Sequence, residues 1–415
     1  MAKIKSSPVL IKYICFFLTI VLLLLTPTVR VNAQAIKDDG EFQGVWISYL
    51  EFLDRLKDPK TGVNGFTEER FHQMVDEMFD NVAAMNMNAV VVHVRPFGDA
   101  MYPSKYFPWS RYISGTQGKN PGFDPLEYMV SAAHERGLQF HAWINPYRIT
   151  SDSTDINKLS KDNLARKWLT NTSKDDDRRV LSFGGSLYYN PSDNWVQAYI
   201  RYGIEEIVEN YEVDGIHFDD YFYPTLGSNY KKNFDYKEYV EYSNWCKENG
   251  VKTKGIADWR RNNVNRLVKN IYSDIKDIDE DVVFGISPGG FLDYLLLDDR
   301  YYTDIKTWLS KPGYIDYICP QLYWSFDNKD FPYDKTLDRW LALRTNKDVK
   351  MYVGIAAYRA GSTLEKAWKD PNILKDMIDY GRGTGLVEGY IYFRYDFFYK
   401  QVTRKAIGKL LDLLI

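Results

Sequence analysis

The sequence predicts a closed (β/α)8 TIM barrel with long loops after its strands, and three observations carry that expectation. Strand-like apolar runs alternate with helix-period runs from about residue 44 to the C-terminus. The strand runs are nearly continuous in apolar residues, the pattern of a parallel sheet covered by helices. Eight such pairs fit within 415 residues, a length that a barrel with long loops absorbs as one domain. The alternative, an open doubly wound sheet, uses fewer strands and often a Gly-rich phosphate turn. No G-x-G-x-x-G follows the first strand here.

In order, GVWISYL (44–50) is the first strand. The helix after it begins at Thr67, a good N-cap, with Glu68 and Glu69 suited to the first turn. Its apolar residues Phe71, Met74, Val75, Met78, Phe79 and Val82 recur at three-and-four spacing. NAVVVHVRP (88–96) is the second strand, DPLEYMVSAAHERG a helix closing at Gly137, and LQFHAWINPY (138–147) the third strand. After a long polar loop, a helix over 195–211 gathers Val196, Tyr199, Ile200, Ile204, Ile207 and Val208 on one face. DGIHFDDY is the fourth strand. A helix through Val264, Leu267, Val268, Ile271 and Ile275 leads to the fifth, VVFGISP (282–288). Helical stretches at 302–309, 337–343 and 373–380 lead to strands at 315–324, 350–358 and 388–395, and an apolar helix closes the chain.

Residues 1–33 are expected to be a signal peptide. Lys3, Lys5 and Lys12 precede an apolar run at 13–25, and Val31-Asn32-Ala33 is a small-residue cleavage site. The run is short for a bilayer, which takes about 20 residues. The expectation is therefore a secreted or wall-associated protein with no stable membrane span, its barrel occupying 40–415, and an uncleaved anchor is the alternative. A net charge of −3 with both signs mixed gives no basic stripe for nucleic acid. Cys246 and Cys319 read as buried thiols, nothing has zinc-ligand spacing, and no cofactor is called for. The 33 Tyr, 11 Trp and 22 Phe exceed core needs in the way a sugar-stacking cleft requires.

In such barrels the site forms at the C-terminal ends of the strands, and the polar residues fall there. Strand two ends in Arg95, with Asp99 beyond. Strand three ends in His141, Trp143, Asn145 and Tyr147, strand four in His217, Asp219 and Tyr221. Strands five, six and eight end in Ser287, in Gln321 with Tyr323, and in Arg394. Alternation puts each of the middle two sets on one inward face. Unpaired burial of so many polar groups would be costly, so a mouth-lining site is favoured over a purely structural role. Asp219 faces in, and Asp220 is expected at the strand end, bonded to a loop or helix N-terminus. An inward carboxylate beneath aromatic rings suits stabilisation of an oxocarbenium-like transition state or covalent attack, which pairs with a second carboxyl as proton donor. Candidates for that second group are Asp99, Asp220, Asp293, Asp327 and Asp396, with Asp220 and Asp99 ranked first. Two rival classes stand beside this. A metal-dependent hydrolase or polysaccharide deacetylase would use His93, His141, His217 and Asp219, but the H-x-x-x-H that deacetylases need is missing. A non-catalytic sugar-binding barrel would keep the cleft without the chemistry.

The blocks running from HVRPFGDAMYPSKYFPWSRYISGTQGKNPGFDP through HAWINPYR, VDGIHFDDYFYP, DWRRNNVNRLV, FGISPGG and IDYICPQLYWSF resemble, in that order, the bacterial glycosyl-hydrolase-like family ten. That resemblance implies an exported or lipid-anchored (β/α)8 protein acting on bacterial cell-wall glycan, as a glycosidase on peptidoglycan strands without stem peptides. Arg95, Asp99, His141, Trp143, Asn145, His217, Asp219, Asp220, Gln321, Tyr323 and Trp324 match the family's blocks. The DWRRNN block matches with its role open, and Arg394 and Asp396 match less clearly. The expectation is Asp219 as catalytic carboxylate with Asp220 or Asp99 handling the proton. Arg95, His141, Asn145, His217 and Gln321 would hold sugar hydroxyls or an N-acetyl group. Trp143, Tyr323 and Trp324 would form a stacking floor, flanked by Tyr221 and Arg394.

Overall fold

The computed structural model describes residues 40–362 and 365–414, so the expected signal segment lies outside the described residues. The apolar runs become eight parallel strands: β1 Phe42–Ile47, β2 Ala89–Arg95, β3 Gln139–Ile144, β4 Gly215–Asp219, β5 Val283–Ser287, β6 Tyr317–Ile318, β7 Lys350–Ile355 and β8 Gly389–Tyr392. Neighbours pair in chain order, and β8 bonds both β7 and β1, which closes the barrel. Strand β6 is interrupted at Cys319-Pro320 and resumes as Gln321–Leu322, both pieces pairing with β7. Proline has no N–H to give a ladder, so the break falls where it stands.

The covering helices are α1 Glu68–Ala84, α2 Pro125–His134, α3 Asn194–Asn210, α4 Ile256–Ile278, α5 Ile305–Trp308, α6 Tyr333–Leu343, α7 Ile373–Gly383 and α8 Arg404–Leu414. Helix α1 begins where the sequence placed it: Thr67 caps it by accepting from the Arg70 N–H, and all six of its spaced apolar residues are buried. Asp124 caps α2 in the same way. One large apolar cluster fills the space between strands and helices. A separate one, built on Phe42, Trp46, Val91, Trp143, Tyr317 and Tyr352, fills the barrel's interior. Room for rings in that interior comes from two glycines. A Cβ on Gly215 would stand 2.6 Å from the His141 ring, and one on Gly285 would stand 2.0 Å from the Tyr317 ring.

Several elements were not anticipated. The first strand stops at Ile47 because Ser48 and Glu51 form a capping box that starts a helix, Tyr49–Arg55. The long polar loop after β3 carries a helix, Leu164–Thr170, and an antiparallel hairpin, Val180–Phe183 with Ser186–Tyr189. A further helix, Tyr236–Glu248, sits between β4 and α4. The DWRRNN block opens α4 and acts as a clamp: Arg260 pairs with Asp235, both fully buried, and also bonds the Tyr302 hydroxyl at 2.8 Å. No helix among the described residues is long and apolar enough to cross a membrane.

Candidate active site

Asp219 is the last residue of β4 and stands opposite Ser287, the last of β5. It is only 3% exposed. Its carboxylate accepts from the Trp143 indole N–H at 3.2 Å and from the Tyr221 backbone N–H at 3.4 Å. Asp220, 7% exposed, has left the strand and turns to the loop after β5, where the Gly289 N–H donates to it at 2.8 Å. Burial pushes the Asp219 carboxyl up to about 7, reinforced by the charge of Asp220 and opposed by Arg148 and the two donors. Burial likewise raises Asp220 to about 6, against the Gly289 N–H and Arg148. Two adjacent carboxyls that resist ionisation near neutrality titrate as a pair. Such a pair holds a proton where an acid catalyst needs one.

Around them, His93 stacks on Trp143 with ring centroids 3.3 Å apart. Its Nδ1 accepts from the Tyr49 N–H at 3.3 Å, which places the proton of the neutral ring on Nε2. That nitrogen has no partner among the described residues, although the side chain is 4% exposed. Ser287 Oγ is also unpartnered. Arg148 lies over the Tyr221 ring at 4.4 Å, bringing a positive charge to the carboxyl pair. Sequence reasoning kept His93 only as a metal-ligand candidate and passed over Arg148, which lies beyond the end of β3.

Several expected contacts fall elsewhere. The β2–β3 register slips between His93 and Arg95, so Arg95 pairs with Ile144 and turns outward. There it is buried over the Phe107 ring at 4.2 Å, and the slip has moved it out of the mouth. His141 sits one layer below the mouth. Its Nδ1 meets the Tyr317 hydroxyl at 3.0 Å and its Nε2 meets Gln139 Oε1 at 3.3 Å. His217 is in the same chain: Nε2 accepts from Trp46 at 3.2 Å, and Nδ1 meets the same Tyr317 hydroxyl at 2.8 Å. Burial lowers both imidazoles, His141 to about 4 and His217 well below the usual range. Both are neutral, fully partnered interior groups, neither free for a sugar nor for a metal. Among the described residues no cluster of three or more His, Cys, Asp or Glu side chains is placed to hold a metal ion.

Asn145 lies past the end of β3, and its Oδ1 caps the turn by accepting from the Arg148 N–H at 3.2 Å. Trp143 is covered by His93 and committed to Asp219, so it positions the carboxylate rather than forming a floor. Gln321 donates to the Ser287 carbonyl at 2.9 Å. Tyr323 is half-buried and stacks on Phe393, and Trp324 packs against Phe331 and Phe291. Tyr221 is exposed at the rim. Arg394 is neutralised by buried Glu51 and by Asp396, which ties the end of β8 to the helix after β1 and removes it as a free ligand.

The five candidates for the second carboxyl lie in different surroundings. Asp99 is buried and accepts from Gln117 at 2.8 Å, inside the loop after β2. Asp293 pairs with Arg339 on the surface, Asp327 is exposed, and Asp396 is held by Arg55. Of the five candidates, Asp220 is the one beside Asp219.

A closed (β/α)8 barrel with a buried carboxyl pair at the end of β4 has the build of a glycoside-hydrolase-type barrel. The chain belongs to the Glycosyl hydrolase-like 10 family, whose model matches residues 41–370. It is 38% identical over 382 residues to Glycosyl hydrolase YngK of Bacillus subtilis, covering 87% of this chain and 69% of that one. It is 32% identical over 394 residues to Glycosyl hydrolase DigH of Escherichia coli K12, covering 89% and 86%. Two solved structures share the fold. The glycoside hydrolase domain of PgaB (BpsB) from Bordetella bronchiseptica matches with a TM-score of 0.57 at 14% identity, over 89% of this chain and 99% of that one. An endo-1,4-beta-mannanase from Rhizomucor miehei matches with a TM-score of 0.52 at 12% identity, over 90% and 95%.

Proposed function

We propose that the protein is an exported glycosidase that cleaves bacterial wall glycan strands lacking stem peptides, with Asp219 and Asp220 as its acid–base pair. The observation that carries the reading is the adjacent, buried, proton-holding carboxyls at the end of β4. Membership of a glycosyl-hydrolase-like family supports it. Near neutrality the pair shares about one proton, so one carboxyl gives it to the leaving oxygen while the other, ionised, faces the developing positive charge on the sugar. Trp143 and the Tyr221 N–H hold Asp219 in place, and Gly289 holds Asp220. The unpaired Nε2–H of His93 supplies a donor for a sugar oxygen beside them. Tyr221 and Tyr323 offer ring surface at the rim.

The test is release of new reducing ends from purified peptide-free glycan by the mature protein and by Asp219→Asn. Wild-type release should fall by at least about a thousandfold in the variant, as expected on losing a general acid or charge stabiliser at the reacting bond. Equal release by both proteins would remove Asp219 from the mechanism. No release by wild type from this or other glycans would end the glycosidase reading.

A further inference from the structure

A cavity of about 510 Å³ opens on the outer wall, between the loops that follow β2 and β3 and the first turns of α3. It shares no lining residue with the Asp219 site. Its walls are rings: Tyr106, Phe107, Trp168, Trp195, Tyr199 and Tyr202. Trp195 is 65% exposed and Tyr202 43%. Tyr106 stacks on Tyr202, 5.6 Å apart and 27° from parallel, so these two rings and Trp195 face water over a nearly buried floor of Phe107, Trp168 and Tyr199. Contiguous exposed aromatic surface of this kind marks a binding site more often than it marks a neglected core.

The cavity is held open by its own hydrogen bonds. The Tyr199 hydroxyl donates to the Tyr106 carbonyl at 2.8 Å, the Lys105 N–H donates to Glu206 at 2.7 Å, and the Tyr102 hydroxyl donates to the Gly203 carbonyl at 3.2 Å. Arg95 backs Phe107 from the interior. A preformed surface loses little freedom on binding. The rim carries Ser104, Lys105, Asp162 and Lys167, polar groups around flat rings. This combination fits sugars, whose C–H faces lie on rings while their hydroxyls reach outward. The two lysines suit a strand bearing carboxylates, as a muramic-type sugar does when no peptide masks its lactyl group. Both loops leave the barrel on the mouth side, and Arg148, beside the carboxyl pair, begins the second of them. A polymer seated in the mouth can therefore continue over the rim onto this wall.

We infer that this cavity is a second glycan-binding site that grips a distant stretch of the same wall glycan strand, an inference that rests on the glycan reading above. Two measurements test it. In the first, retention of long peptide-free glycan strands is compared between Asp219→Asn and Asp219→Asn/Trp195→Ala/Tyr202→Ala. In the second, turnover of long strands and of a short oligosaccharide that fills only the mouth is compared between wild type and Trp195→Ala/Tyr202→Ala. Trp195 and Tyr202 stand at the surface, and equal melting of each pair checks the fold. Retention and long-strand kcat/KM should fall roughly five- to tenfold, the worth of lost aromatic contacts, with short-substrate turnover unchanged. Unchanged retention, retention absent from both proteins, or equal losses on long and short substrates would overturn the site. If wild type cleaves nothing yet retention still depends on Trp195 and Tyr202, the glycosidase reading fails and the binding site stands.

Discussion

Two layers of the same barrel treat buried polar groups in opposite ways. In the lower layer, Trp46, His217, Tyr317, His141 and Gln139 pass one hydrogen bond to the next until each ring nitrogen and the hydroxyl between them has a partner. In the layer above, Asp219 and Asp220 are buried with raised proton affinity, and His93 Nε2 and Ser287 Oγ lack partners among the described residues. Buried polar atoms without partners are costly to a fold. Others occur away from the mouth, as at the Arg95 guanidinium and the Tyr189 hydroxyl, but His93 Nε2 and Ser287 Oγ stand beside the carboxyl pair, where a bound sugar would supply the missing bonds. The difference separates histidines that build the barrel from one that serves the mouth, although all three point inward from neighbouring strands.

The largest expected effect on stability comes from the upper layer. Asp219 holds its proton up to about 7 in the folded protein, against 3.8 ordinarily. The folded state therefore binds that proton more tightly than the unfolded state does, and stability drains away as pH rises from about 4 to about 7. Asp219→Asn, which cannot ionise, should escape this loss. It should be more stable than wild type by on the order of 3 kcal/mol at about pH 8, and by little at about pH 4. Denaturant midpoints at the two pH values measure it, and a variant less stable than wild type at the higher pH would contradict the raised proton affinity.

The lower layer should answer the other way. Tyr317→Phe leaves the Nδ1 atoms of His141 and His217 without their shared hydroxyl, at a cost of about 1–3 kcal/mol. Turnover per folded molecule should stay within about twofold, because these groups do not meet substrate. A large fall in turnover without loss of stability would move the histidine chain into the mechanism. His93 gives the smaller but more specific contrast. His93→Asn can keep an acceptor for the Tyr49 N–H but withdraws the donor at Nε2, and should lower kcat/KM by about tenfold or more. His93→Gln, whose amide reaches the Nε2 position, should recover part of it.

The fold was legible because helix and strand periods, the cap at Thr67, and near-continuous apolar strands all pointed to one answer. What the sequence concealed was local. Alternation put Arg95 and His93 on one face, and a one-residue slip in the β2–β3 register put them on opposite faces. Asn145 was counted along a strand that ends at Ile144. A histidine at a strand end reads the same whether a neighbour's hydroxyl satisfies it or not, so His141 and His217 looked like ligands until Tyr317, about 100 residues or more away in the chain, was seen between them. Choosing Asp220 among five carboxyls likewise required knowing which had cationic or amide partners. Trp46 was the missed residue with a readable signal, a large ring with an indole N–H inside a fully buried first strand.

Arg148 is the sharpest remaining test of the upper layer, although its effect is the smallest. It lowers the proton affinity of both Asp219 and Asp220, while the charge of Asp220 raises that of Asp219. Arg148→Gln should therefore move the alkaline limb of the pH profile for kcat/KM to higher pH, by about half a unit given its partly exposed position. In Asp220→Asn, whatever activity remains should show the limb displaced to lower pH, because Asp219 has lost the neighbouring charge that held its proton. The opposite signs matter more than the sizes. A general loosening of the mouth would shift both variants alike or neither, whereas a carboxyl pair sharing one proton beneath a single arginine requires the two limbs to part.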